Sequence, residues 1–189
     1  MIRIGILGDI GSGKSYVAKS FGYPVFNADK EVAKLYKKNK KTFNKLKKIL
    51  PKYFNSYPIK KHEVIKAILA NSINLKKIIK VIHLEIRKKM NFFLKKNKIR
   101  KVVILDVPLL LENRINKKND ILIFVQSKRL DVLKRLRNRT NFNQKLLNKF
   151  RKLQLSLVYK KRKSHFIIKN NFTNKFVKSD VKYILKKIL

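Results

Sequence analysis

Apolar residues along this chain fall into short unbroken runs, separated by stretches where they return every third or fourth position. Ile2–Leu7 is the first run and predicts a strand buried on both faces. Lys14–Phe21 follows as a helix, and Tyr23–Asn27 as a second brief strand, with Pro24 tolerable at a strand start. From Asp29 to Leu50 the period is helical, and Pro51 closes it. Between about Tyr53 and Asn97 the apolar positions (Val64, Ile65, Ile68, Leu69, then Leu75, Ile78, Ile79, Ile82, Ile86, Met90, Phe93) predict amphipathic helices and no strand. Lys101–Asp106 and Asp120–Gln126 are continuous and β-branched, as buried strands are. Two basic helices are expected near Arg129–Arg139 and Gln144–Lys161, then a strand at His165–Lys169 and a helix at Lys175–Leu189.

Strands alternating with helices indicate an α/β fold around a parallel sheet of about five strands. An all-helical insertion interrupts it between the second and third strands. The 189 residues show no internal repeat and no flexible linker, so a single domain is expected.

Charge changes the picture less than its size suggests. The formal net charge is +40, from 50 Lys+Arg against 10 Asp+Glu. A nucleic-acid surface is one reading of such a balance. However, Lys outnumbers Arg by 40 to 10, and Lys doublets run from Lys37-Lys38 to Lys186-Lys187 without clustering. Lys, Asn and Ile share A/T-rich codons, so the expectation is a compositional excess with no specific nucleic-acid partner. Absence of Cys excludes disulfides and thiol chemistry. No apolar run approaches the roughly 20 residues that cross a bilayer. No signal-peptide pattern opens the chain. A soluble, cytoplasmic protein without a membrane partner is expected, with a monomer favoured.

Glycine is confined to the first 22 residues. Four of the five lie in the nine residues Gly5–Gly13, which overlap the segment Gly8-Asp9-Ile10-Gly11-Ser12-Gly13-Lys14-Ser15, a match to G-x-x-x-x-G-K-[ST]. Glycines let such a loop adopt positive φ and wrap its N–H groups around a phosphate, while the next helix directs its positive end there. Lys14 reaches β/γ-phosphates in this motif and the Ser15 hydroxyl ligates Mg²⁺. Asp9 projects from a position the motif leaves free and is set aside as incidental.

With ten acidic positions, each can be weighed. Asp29 and Asp106 end or follow predicted strands at the sheet edge where ligands of α/β folds bind, and Glu112 follows six residues later. Base, metal-side carboxylate or substrate-orienting group are the functional readings. A helix N-cap and a strand-end turn are the structural ones. Arg is scarce, so Arg135, Arg137 and Arg139 within five positions suggest phosphate recognition, with a solvated helix face as the structural alternative. Arg135 and Arg139 would share one helical face.

These residues together resemble the dephospho-CoA kinase family over nearly the whole chain. GDIGSGKS is similar to its phosphate loop, and Asn27-Ala28-Asp29 to its D-A-D motif. His83 with Ile86 resembles its H-P-x-[IV] element, and Asp106–Glu112 its D-[IV]-P-L-L-x-E segment. Arg135 and Arg139 sit at the spacing of its R-x-x-x-R lid, and Gln154 leads to Ile167–Asn170 as in its adenine-side stretch. Asn27, Leu84, Thr140, His165 and Phe172 stand where the family has Asp, Pro, an acidic residue, Asp and Gly.

The resemblance implies a P-loop kinase-like three-layer sandwich with a core about 1–29, 99–128 and 163–189. The helical substrate-binding insertion would cover about 30–98 and a helical lid about 129–162. It implies transfer of the γ-phosphoryl of ATP to the ribose 3′-hydroxyl of dephospho-CoA, with Asp29 as base and Lys14 and Arg139 as further catalytic groups. Gly8, Gly11, Ser12, Gly13, Lys14, Ser15, Tyr16, Arg135, Arg139 and Asn170 would hold ATP, with Mg²⁺ on Ser15. Asp29, His83, Asp106, Pro108, Leu109 and Glu112 would face the acceptor, His83 being alternatively a structural histidine. Another nucleotide or metabolite kinase on this scaffold, such as a nucleoside-monophosphate kinase, is the alternative enzyme. A basic nucleic-acid-binding protein with a vestigial loop is the alternative class.

Overall fold

The computed structural model describes residues 1–140 and 142–189. Five parallel strands, β1 (Ile2–Gly8), β2 (Val25–Asn27), β3 (Val102–Asp106), β4 (Ile121–Gln126) and β5 (Phe166–Lys169), form one sheet in the order β2-β3-β1-β4-β5. Every pairing is parallel, with Ile4 opposite both Ile104 and Ile121. The apolar runs are continuous because both faces of the inner strands are covered. On one face Ile4, Ile6, Ile104, Ile123 and Val125 pack with Val17 of α1 (Lys14–Ser20) and Val177, Val181 and Ile184 farther along the chain.

Two compact units are present. The first comprises residues 1–27, 97–143 and 151–189 and contains the whole sheet; the second comprises 28–96 and 144–150. The second unit holds α2 (Ala28–Lys38), α3 (Lys40–Ile49), α4 (Lys61–Ala70) and α5 (Ser72–Lys96). Its core includes the stripe Leu75, Ile78, Ile82, Ile86 and Met90, buried along α5 at the spacing of one helical face. Leu84, where the resemblance has Pro, is exposed in mid-helix, and α5 runs through it unbroken.

Three elements differ from the periodicity. The helix expected over 29–50 is two, because the Asn39 side chain accepts the Thr42 N–H at 2.8 Å and caps a new start. The helix expected over 144–161 likewise divides into α7 (Gln144–Lys152) and α8 (Leu157–Arg162), with Ser156 capping the latter through Tyr159 N–H. Finally, α6 (Arg129–Arg137) stops before Arg139. The Asn138 N–H turns back to Leu136 and Lys134 carbonyls, so Arg135 and Arg139 do not share a continuous helical face. No helix among the described residues is long and apolar enough to cross a membrane.

Candidate active site

Residues 9–13 connect β1 to α1 at the sheet's switch point, since β1 is flanked by β3 on one side and β4 on the other. Gly13 supplies the left-handed residue that begins α1, at φ 88°. Gly11, also at φ 88°, lies so close to Leu136 of α6 that a Cβ there would stand 2.9 Å from Leu136 Cγ. Backbone strain and lack of space therefore both require glycine. Lys14 folds back over the loop, its Nζ donating to the carbonyls of Asp9 (2.7 Å) and Gly8 (3.3 Å).

Other strand ends brace this loop. Ser127, after β4, donates its hydroxyl to Ser12 O at 3.0 Å. Asn170, after β5, donates its amide to the same carbonyl at 2.9 Å, and its Oδ1 accepts Phe172 N–H at 2.9 Å. Asn170, expected on the ATP side, thus also holds the loop in place.

On the other side, β2 and β3 are in register with Asn27 opposite Asp106. The Asn27 amide donates to Ser15 Oγ (3.3 Å) and to Asp106 Oδ2. Asp106 is buried at the strand end, so the amide both satisfies it and ties it to the motif's serine. A hydroxyl and a carboxylate at the loop suit Mg²⁺, which takes few protein oxygens and keeps waters and phosphate oxygens for the rest. Among the described residues there is no group of three or more His, Cys, Asp or Glu that could hold a metal on its own.

Beyond Asp106 the chain turns through Pro108 and Leu109, the latter left-handed at φ 61°. Its carbonyl accepts both the backbone and the side-chain N–H of Asn113. Glu112 is engaged within the protein. Lys160 Nζ lies 2.8 Å from its Oε1, and the Leu155 N–H donates to the same oxygen at 3.0 Å. The carboxylate thereby satisfies an amide left open between α7 and α8, which is why the helix can divide there.

Asp29 and His83 belong to the helical unit. Asp29 is exposed in the first turn of α2, two residues along the chain from Asn27. His83 is half-buried on α5, and burial, then the Arg87 charge one turn on, lower its pKa. Arg135 and Arg139 are exposed, as is Tyr16. The Arg135 guanidinium stacks over the Phe172 ring, 4.2 Å from its centre.

Sequence reasoning passed over Asp9, Arg151 and Lys160. Asp9 is ion-paired with Arg151 at 3.0 Å, and Lys160 is buried against Glu112. Scarcity of Arg was a usable signal, and applied evenly it would have picked out Arg151. Nothing in the sequence separated Lys160 from the other lysines.

A family model for dephospho-CoA kinase matches residues 2–175. The chain belongs to the dephospho-CoA kinase family. It is 35% identical over 187 residues to the dephospho-CoA kinase of Wolbachia pipientis wMel, covering 96% of this chain and 95% of that one. Identity to the Fusobacterium nucleatum dephospho-CoA kinase is also 35%, over 178 residues and 89% of each chain. The fold resembles a Thermus thermophilus crystal structure at TM-score 0.80, with 22% identity and coverage of 100% of this chain and 98% of that one. A dephospho-CoA kinase from Campylobacter jejuni has TM-score 0.64 at 20% identity, covering 98% and 96%.

As a member of this family the chain is a dephospho-CoA kinase-like phosphotransferase, and three of its departures from the family pattern have structural answers. Asn27 keeps a polar bridge between Ser15 and Asp106 without a second charge. His165 pairs with Leu122 twice: its backbone N–H donates to Leu122 O, and its ring Nδ1 accepts Leu122 N–H at 2.9 Å. A carboxylate at that position could accept the same N–H. Phe172 adopts φ 65° where the family has Gly, held by Asn170 and by the Arg135 stack.

Proposed function

We propose that this protein transfers the γ-phosphoryl group of ATP to the ribose 3′-hydroxyl of dephospho-CoA, forming coenzyme A and ADP. The observation that carries the reading is the Ser15–Asn27–Asp106 bridge beside the phosphate loop, in a chain of this family. The loop from Gly8 to Ser15, with Tyr16 following, binds the phosphates, and Lys14 neutralises charge on the β- and γ-phosphates. Bound at Ser15 and Asp106, Mg²⁺ would supply charge neutralisation across the phosphate oxygens.

Asp29, next along the chain after Asn27-Ala28, orients the acceptor hydroxyl and accepts its proton. The new O3′–P bond forms as the bond from the γ-phosphorus to the bridging oxygen breaks, and the electron pair leaves with ADP. Asp106, Pro108, Leu109, Glu112 and His83 serve the acceptor side, Glu112 by holding the 155 segment. Arg135 and Arg139 close over the triphosphate and exclude water. The setting is cytoplasmic, the protein acts as a monomer, and the charge excess serves no specific nucleic acid.

The test is direct. Protein incubated with Mg·ATP and dephospho-CoA should form CoA and ADP in equal amounts. Turnover on nucleoside monophosphates but not on dephospho-CoA would assign a different acceptor.

A further inference from the structure

Asp9 places a negative charge inside a loop built to receive phosphate, where it opposes an anionic ligand. Its surroundings show how that charge is handled. Oδ1 accepts the Ile10 N–H at 2.7 Å, and Oδ2 accepts a hydrogen bond from Arg151 Nη2 at 3.0 Å. The carbonyl of the same residue receives Lys14 Nζ at 2.7 Å. One loop residue therefore holds two cations, the motif lysine through its backbone and Arg151 through its side chain.

Arg151 reaches the loop from the end of α7, beyond the arginines of the expected lid. Asp9 engages it through one nitrogen, whereas a guanidinium carries five donors in a planar fork suited to phosphate oxygens. Both residues border a cavity of about 550 Å³ that is also lined by Arg129 and Lys161. Three cations and one carboxylate thus line open space beside the phosphate loop.

We infer that Arg151 is a phosphate-binding residue of this active site, and that Asp9 is its positioning residue. The carboxylate is a resident counter-anion: it aims the guanidinium at phosphates in the loop, and Arg151 in turn cancels a charge that would repel them. This inference rests on the phosphotransferase reading for its ligand but not on the identity of the acceptor.

Calorimetric titration with Mg·ATP alone, without acceptor, tests it. Arg151→Ala should weaken ATP binding roughly tenfold or more, because it removes a charge-assisted contact and leaves the Asp9 carboxylate unpaired beside phosphate. Asp9→Asn should bind ATP at least as tightly as the parent yet show a lower kcat, since charge repulsion falls while aim is lost. The double variant should recover part of the affinity that Arg151→Ala loses. Arg151→Lys, which keeps the charge but not the fork, should remain weak, and it gives the same reading should the alanine variant fail to fold.

Wild-type affinity in either Arg151 variant would overturn the inference. So would a double variant no different from Arg151→Ala, which would reduce the pair to a clasp between α7 and the loop. The predicted binding pattern in a protein that makes no CoA would leave Asp9 and Arg151 in these roles and refute the acceptor assignment instead.

Discussion

Asn27 and Asp106 face each other across β2 and β3 in parallel register, and the Asn27 amide joins the Asp106 carboxylate to the Ser15 hydroxyl. A carboxylate at position 27 would put two like charges side by side at a buried strand end, and one of them would resist ionisation. The amide supplies donors instead. Asn27→Ala should therefore raise the Mg²⁺ concentration needed for half-maximal activity and lower kcat, having released both partners. Asn27→Asp should shift the acid limb of the pH–rate profile to higher pH, because one member of the carboxylate pair is protonated more readily. A profile identical to wild type would show that Asp106 does not sense position 27.

Asp29 carries the base assignment. Asp29→Asn keeps the shape and loses basicity, so kcat should fall by roughly 10²–10⁴. Mg·ATP affinity should stay close to wild type, because the loop residues are unchanged. Steady-state kinetics with dephospho-CoA, paired with ATP titration, separates the two. A large loss in Asp106→Asn together with near-normal kcat in Asp29→Asn would move the base to β3.

Phe172 offers a clean measure of backbone strain. Its φ of 65° is left-handed, a conformation that costs a non-glycine residue about 1–2 kcal/mol. Phe172→Ala and Phe172→Gly both remove the ring from Arg135, but only Gly relieves φ. The Gly variant should be more stable than the Ala variant by about 1 kcal/mol in urea unfolding. Equal stabilities would mean that the loop relaxes out of the left-handed region once the ring is gone.

Acid should weaken the helical unit. Burial raises the pKa of Glu31, but Lys34 and Lys89 outweigh it and the group sits below its ordinary 4.5. Burial likewise raises Glu63, and the N–H groups of Lys60 and Asn55 with Ser56 bring it down. At Glu85 the hydrogen bond from Lys45 dominates and lowers the value directly. Stability from groups with lowered pKa is complete above their ordinary value and is lost as pH falls through the lowered one. Helical signal monitored in urea should thus give a midpoint that dips as pH falls below about 6.5, where His83 with its lowered pKa resists the proton that the unfolded chain accepts, and that falls further below about 4.5 as the carboxylates protonate. Glu63→Gln should flatten that fall while lowering the midpoint at pH 7, since it loses charge-assisted bonds to several donors.

The sequence by itself determined the parallel α/β core, because apolar runs covered on both faces and a Gly-rich loop opening a helix are local patterns. Ile2–Leu7, Lys101–Asp106 and Asp120–Gln126 declared themselves as strands, and Gly8–Ser15 as a phosphate loop, since each is set by a few adjacent residues. Helix breaks at Asn39 and at 153–156 were not legible from periodicity, which continues through them; a side-chain cap and the distant Glu112 decide where the backbone turns. Tertiary structure alone decided which polar groups meet. Asn27 reaches Asp106 only through strand register, and Asp9 reaches Arg151 across 142 residues of chain. Such pairings depend on where the sheet and helices place two ends in space, and no spacing along the chain encodes that.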